Sequence, residues 1–382
     1  MLEYYIWLQL CLGAGSCRVK DILSYFKSAE NVFRADKNTR ISSKLFTVKQ
    51  LERMEKISLS KAIAVMGDCK GNDIKAVFYG GENYPYCVSV IENPPLVLYY
   101  KGTLPDFDNT PSVCIVGPRM VSDFGKKAAY SLGYRLSKSG IVVVSGGAVG
   151  CDTYAHAGAL KANGKTVLVM GCGILHDYLP ENKKLRDVVA QNGCLLSELP
   201  PYFPLVKGAF PIRNRILSAL SLGTVVVEAR ERSGALITAR HACEQGRDVF
   251  VIPGEPGKRE YKGSNALLRD GAKPLLDASD IFNEYIVRFP DKINIESAFD
   301  SPIISAEKQT ETKKEVKIEK NLNIPLSKEA KMVYNNLNKQ KFLPEDLTDT
   351  GLSAGELLSA LTELEMEFII KALPGGMYEV CK

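Results

Sequence analysis

Three stretches decide the fold: Val113-Cys-Ile-Val-Gly-Pro-Arg119, Ile141-Val-Val-Val-Ser-Gly-Gly147 and Val225-Val-Val-Glu-Ala229. Each opens as an unbroken apolar run and closes on a small-residue or charged turn. Runs of this length without polar alternation are strands buried on both faces, as in parallel sheets. The same pattern predicts strands at 113–117, 141–145, 166–170, 194–197, 224–228 and 248–252. Helices are predicted between them at about 121–139, 151–163, 181–192, 212–221 and 234–246. Six strands alternating with helices give an α/β fold, a doubly wound and mostly parallel sheet. Ligands on such sheets sit beyond the carboxyl ends of the strands. Gly117–Arg119, Ser145–Gly147, Gly171–Gly173, Glu198, Glu228 and Pro253-Gly254 fall there.

Outward from this core, residues 1–66 read as helical, with Leu12-Gly-Ala-Gly15 as a tight turn that could also dock a phosphate on the next helix. The core domain is taken as 74–287. Within it, Leu96–Tyr100 reads as an edge strand or covering hairpin after the prolines at 85, 94 and 95. Residues 288–321 are charged and read as a flexible linker. Residues 322–382 give a helix at Ala330–Leu337, a second from Leu343, and a third at Ser353–Leu364 with Ser353 and Glu356 as a capping box. A hairpin turning at Pro374-Gly-Gly376 follows, and this order is that of a winged helix.

The chain has 382 residues and a formal net charge of +5. Leu205–Arg269 alone holds eleven Lys/Arg against six acids, Lys207 and Arg240 among the cations, so the basic surplus is local, and Arg240 is expected to be a further contact for a polyanion. The ten cysteines show no Cys-x-x-Cys pair and no Cys/His zinc spacing, which points to a reduced cytoplasmic protein without a metal. Glu3 and Gln9 interrupt any leader-like start, and no apolar stretch is long enough for a membrane span.

Ser145-Gly146-Gly147 lies between a strand and a helix. Glycines there let backbone N–H groups approach a phosphate, and the helix dipole favours its charge. The stretch is neither Gly-x-Gly-x-x-Gly nor a P-loop, so a dinucleotide or ATP site is disfavoured. The plain alternative is a tight turn without ligand. Arg213-Asn214-Arg215 opens a helix after Phe210-Pro211 and offers donors to phosphate oxygens or base edges. Residues two apart on a helix point about 200° apart. Both arginines therefore face one ligand only if Arg213 lies in an unwound turn; otherwise one of them pairs with Glu198 or Glu228. Arg119 is expected in the same cleft as Ser145. Ser233 and Thr238 surround another helix start, Asn182 begins a helix, and Phe210 or Tyr178 could stack a base. His156 and His241 fall in helices and His176 in a loop, none with a readable nucleophile partner. Glu198 and Glu228, read as ending adjacent strands, form either an acid/base pair or supports for the arginines.

In order along the chain, these motifs resemble the bacterial DNA-processing protein A family (DprA, also called Smf). The resemblance is carried by Gly117-Pro-Arg119, Ser145–Asp152, Gly171-Cys-Gly173, Tyr178–Asn182, Ser197-Glu198, Phe210–Arg215, Glu228-Ala229, Ser233–Ala239, Gly246-Arg247, Ile252-Pro-Gly254 and Gly271-Ala272. It implies an extended Rossmann-like fold without a redox cofactor, preceded by a SAM-like helical domain and followed by a winged helix. It also implies homodimers, single-stranded DNA binding, and loading of the RecA recombinase during natural transformation, with no enzymatic activity. The phosphate contacts implied are Arg119, the loop Ser145–Gly147, and Arg213–Arg215. Two departures stand out: Pro118 where the family usually has Ser, and Val149 where it usually has a basic residue. A nucleotide-processing enzyme of the phosphoribohydrolase type is the rival reading. It needs a Gly-Gly-x-Gly-Thr turn beside a catalytic Glu, and Pro253-Gly-Glu-Pro lacks that turn. A chiefly structural scaffold for recombination proteins is the third.

Overall fold

A computed structural model describes residues 1–16, 18–206, 208–299, 326–337, 341–367, 369–372 and 377–380. The chain divides into two compact units, Met1–Ile303 and Ile304–Lys382.

The first unit begins with six helices: α1 (Leu2–Leu12), α2 (Val19–Phe26), α3 (Ala29–Arg34), α4 (Lys37–Ser42), α5 (Val48–Lys56) and α6 (Leu59–Gly71). Then come β1 (Lys75–Phe78), α7 (Tyr86–Ser89), β2 (Val97–Gly102), β3 (Ser112–Val116), α8 (Asp123–Lys138), β4 (Val142–Ser145), α9 (Cys151–Lys161) and β5 (Thr166–Met170). They are followed by α10 (Lys183–Asn192), β6 (Cys194–Ser197), α11 (Ala209–Ala219), β7 (Gly223–Val226), α12 (Gly234–Glu244) and β8 (Asp248–Val251). The unit closes with α13 (Lys262–Arg269), β9 (Lys273–Pro274), α14 (Ser279–Tyr285) and α15 (Ile295–Phe299).

The nine strands form one sheet in the order β1-β2-β6-β5-β4-β3-β7-β8-β9. All pairings from β6 to β9 are parallel; β1–β2 and β2–β6 are antiparallel. The fold is thus the expected doubly wound, mostly parallel α/β sheet. It winds outward from β3 through β4, β5 and β6, then returns to β7 beside β3. That reversal opens a crevice at the carboxyl ends of the central strands. β2 differs from its expectation: it lies inside the sheet, and β1 occupies the edge. β1 carries little strand signal in the sequence, since Lys75-Ala-Val-Phe78 is a short run without clear alternation.

The strands are buried on both sides because three sets of side chains cover them. Cys114 and Val116 of β3 point to one face, packing with Val144, Val226 and α11–α12 side chains. Val113 and Ile115 point to the other, against Leu132, Leu136 and Ala155 of α8 and α9. Along β5, Val167 and Val169 join the first face, while Leu168 and Met170 pack with Ile6, Trp7 and Leu8 of α1. This alternation is the two-residue period of a strand. The N-terminal helices therefore cover the sheet itself. Gln9 fastens them: its amide donates to the Val97 and Glu198 carbonyls (3.0 and 2.8 Å) and accepts from the Tyr99 hydroxyl at 2.9 Å.

Residues 288–299 of the expected linker are ordered. Ile293 and Ala298 are buried, Ser297 Oγ donates to the Lys138 carbonyl at 2.7 Å, and the Arg135 guanidinium lies 4.5 Å from the Phe299 ring centroid. The rest of that linker, residues 300–321, lies outside the described residues, as do Lys207 and the turn Pro374-Gly-Gly376.

The second unit contains α16 (Lys328–Asn336), β10 (Lys341–Phe342), a 3-10 turn (Pro344–Thr350), α17 (Ala354–Met366), β11 (Ile370–Ala372) and β12 (Tyr378–Val380). Its three strands pair antiparallel in the order β10-β12-β11. The capping box at Ser353 and Glu356 is formed, and Leu361, Leu364 and Ile369 are fully buried. The second expected helix is the 3-10 turn, and β10 is an element the sequence did not suggest.

Candidate nucleic-acid interface

A cleft of about 340 Å³ opens at the carboxyl ends of β3 and β4 and the N-termini of α11 and α12. Arg119, Gly146, Tyr178, Phe210, Arg213, Asn214, Ser233 and Thr238 line it. Arg119 is exposed, its guanidinium 5.4 Å from the Phe210 ring centroid and its Nη2 3.5 Å from the Tyr178 hydroxyl. Tyr178 and Phe210 lie 5.4 Å apart, tilted by 49°. A guanidinium over a ring face leaves its N–H edges free for an anion. The two rings offer a stacking surface beside that charge.

The floor is built around a buried arginine. Arg213 Nη1 donates to the Gly146 carbonyl at 3.0 Å and also to the Val169 carbonyl. Its Nε donates to Asn214 Oδ1 at 3.2 Å, and Asn214 Nδ2 reaches the Gly234 carbonyl at 3.5 Å, linking the glycine loop to the start of α12. Asp152, also buried, accepts the Ala148 N–H at 3.2 Å. Burial pushes the Asp152 carboxyl up from its ordinary value, and the Arg213 charge opposes that rise. Burial likewise lowers Arg213, opposed by Asp152. Arginine stays protonated under such burial, so the floor keeps a positive charge partly offset by one carboxylate. Asp152 was not among the expected site residues, although an acid in the first turn of a helix after a glycine loop is a readable signal.

Gly146 is required by contact: a Cβ there would strike the Arg213 guanidinium. Gly147 is required by conformation, with φ of +68°. Ser233 caps α12 by accepting the Ala235 N–H at 3.3 Å, and the helix start faces the cleft. Pro118, at the site of the first family departure, accepts the Cys151 N–H at 3.2 Å through its carbonyl. Val149, at the second, is 41% exposed.

Several expected contacts lie elsewhere. Ser145 is fully buried, its hydroxyl donating to the Ile115 carbonyl at 2.7 Å, so only the backbone of this loop is available. Asn182 is buried behind the loop and donates to the Gly147 carbonyl and Thr153 Oγ1, both at 3.0 Å. Arg215 turns away from the cleft into a buried ion pair with Glu198 at 2.7 Å. The reason is helical phase: α11 starts at Ala209, earlier than expected, so Arg213 and Arg215 both sit in regular helix and diverge. Arg240 is exposed on α12 and pairs with Glu244 at 2.9 Å, outside the cleft. Glu198 and Glu228 are not on adjacent strands; β5, β4 and β3 separate β6 from β7. Glu228 instead accepts the Ser122 N–H at 3.1 Å and the Ser122 hydroxyl, and touches neither arginine.

The family described as DNA recombination-mediator protein A matches residues 75–286. This chain belongs to that family. DNA processing protein DprA of Bacillus subtilis is 34% identical over 276 residues, 70% of this chain and 93% of the relative. The X-ray structure of DNA processing protein A from Streptococcus pneumoniae superposes with a TM-score of 0.65 at 33% identity, covering 74% of this chain and 98% of that one. That of DNA processing protein A from Helicobacter pylori, described for its single-stranded DNA binding mode, gives 0.51 at 32% identity, covering 56% and 96%. The matched span includes every cleft residue named above, whereas the DNA recombination-mediator protein A match leaves out α1–α6 and the second unit. Among the described residues no helix is long and apolar enough to cross a membrane.

Proposed function

We propose that this chain is a non-enzymatic, cytoplasmic mediator that binds single-stranded DNA in the cleft. One observation carries the reading: the exposed Arg119 guanidinium stands beside the Tyr178–Phe210 pair, over a floor held by buried Arg213. A flexible strand can lay a phosphate on Arg119 and the glycine loop while a base stacks on the rings. Duplex DNA holds its bases in the stack and gains less from such a cleft. The Helicobacter pylori relative described for single-stranded DNA binding supports this reading.

Membership of a family described as recombination mediators supports a finer reading. We propose that the chain acts as a homodimer, hands the bound strand to RecA in natural transformation, and carries a winged helix in its second unit. The deciding experiment compares single- and double-stranded oligonucleotides by gel shift at several salt concentrations. Preference for the single strand with affinity falling steeply in salt is expected; equal binding to both, or none, overturns the reading.

A further inference from the structure

A second cavity, of about 580 Å³, lies next to the cleft. One wall comes from the end of α1 with the turn after it and from α5, which carries Lys49 and Arg53; the other comes from the sheet ends and α11, with Gly171, Glu198, Ile212 and Arg213. Arg213 lines both spaces. Phe210, which lines the cleft, packs against Gly171, which lines the cavity, so one ring and one guanidinium separate the two.

Lys49 and Arg53 are four residues apart on α5 and thus share a helix face. The ion pair reaching this helix is Arg40–Glu55 at 3.7 Å, leaving Lys49 and Arg53 without a carboxylate partner among the described residues. Arg53 makes only a long contact, 3.4 Å, with the Cys11 carbonyl. The acid on the wall is Glu198, already engaged by Arg215 at 2.7 Å and by the Gly15 N–H at 3.2 Å. Three cations thus meet one neutralised carboxylate above an apolar surface. Cavities of this size suit a nucleotide-sized ligand.

We infer that this cavity seats a second nucleotide of the strand whose neighbour occupies the cleft, its two flanking phosphates on Lys49 and Arg53, one on each, and its base against Ile212. The inference rests on the single-strand reading above and adds residues outside the family match of 75–286. Duplex DNA cannot fill both spaces without unstacking.

The test uses the full chain and a labelled oligothymidylate, with binding followed by fluorescence anisotropy between about 50 and about 200 mM salt. The Lys49→Gln/Arg53→Gln double variant is expected to bind roughly tenfold more weakly. Its slope of log affinity against log salt should flatten by about 1.4, two phosphate contacts at about 0.7 each. Lys49→Gln alone, at an exposed position, should flatten it by about 0.7 even if the Arg53 change disturbs α5. Thymidine 5′-monophosphate should bind wild type and variant equally, since the cleft alone accommodates it. Wild-type slope and affinity in both variants, while Arg119→Ala weakens binding, would overturn the second subsite and leave the cleft reading standing. Equal loss on the monophosphate would assign the cavity to a free nucleotide and overturn strand continuation. Absence of single-strand binding by wild type would remove the underlying reading as well.

Discussion

The guanidinium of Arg213 donates to the carbonyl of Gly146 at 3.0 Å, and nothing larger than hydrogen fits on the Gly146 Cα at that contact. Gly146→Ala must displace the arginine or the loop. Overpacking of this kind costs about 1–3 kcal/mol. The lone tryptophan, Trp7, is fully buried in the first unit and reports its unfolding. A urea titration followed by Trp7 emission should show the loss, and single-strand affinity should fall with it.

Arg119→Ala separates charge from stability. The residue is exposed, so the unfolding free energy from a urea titration should stay within about 0.5 kcal/mol of wild type. Its salt dependence should flatten by about 0.7 for one lost phosphate contact. An unchanged slope in anisotropy would place the strand elsewhere.

Arg215 behaves oppositely. Both members of its pair with Glu198 have side chains only 8% exposed. Removing one partner strands a buried charge, at a cost of about 3–5 kcal/mol. Glu198→Gln and Arg215→Met should therefore lower the urea midpoint markedly. In the fraction that remains folded, Arg119 still faces the cleft, so single-strand binding should persist.

His156 sets a pH dependence. Thr166 Oγ1 donates to the Val143 carbonyl and so must accept from His156 Nδ1–H, both at 2.8 Å. That fixes the neutral tautomer and leaves Nε2 buried without a partner. Burial, helped by the Arg213 charge, pushes the imidazole down to about 3. The unfolded chain thus binds a proton near the ordinary histidine value of about 6.5 while the folded one does not. Stability present above that value should be lost as pH falls toward 3. The raised Asp152 carboxyl acts in the reverse direction. Wild type and His156→Asn should be compared between pH 7 and 5 in urea; the wild-type midpoint should fall more steeply.

The sheet was legible because its central strands are buried on both faces and therefore read as continuous apolar runs, as at Val142–Val144. The glycine loop was legible for a related reason: only glycine meets both the Arg213 contact and the φ of Gly147. What the sequence could not fix was direction. Arg213 and Arg215 are identical in type and two residues apart, and only the start of α11 at Ala209 decides which enters the cleft. Asn182 has the chemistry of a ligand contact, yet its amide is consumed by Gly147 and Thr153. Glu228 lies at the end of a strand as Glu198 does, but strand order, which a linear pattern does not encode, puts three strands between them. Lys49 and Arg53 gave no signal because they lie roughly 120–160 residues before the segments they face, a separation across which motif spacing carries no information.

The Gln9 amide, clasped between the strand carbonyl of Val97 and the carbonyl of Glu198, binds the leading helices to the sheet they shelter. Trimming the polypeptide to the family-matched residues 75–286 would strip Leu168, Met170 and Tyr99 of their cover. A shortened fragment starting near Lys75 would expose a greasy strand face and precipitate on expression. The opening helices thus act as an integral lid of the sheet rather than a detachable appendage.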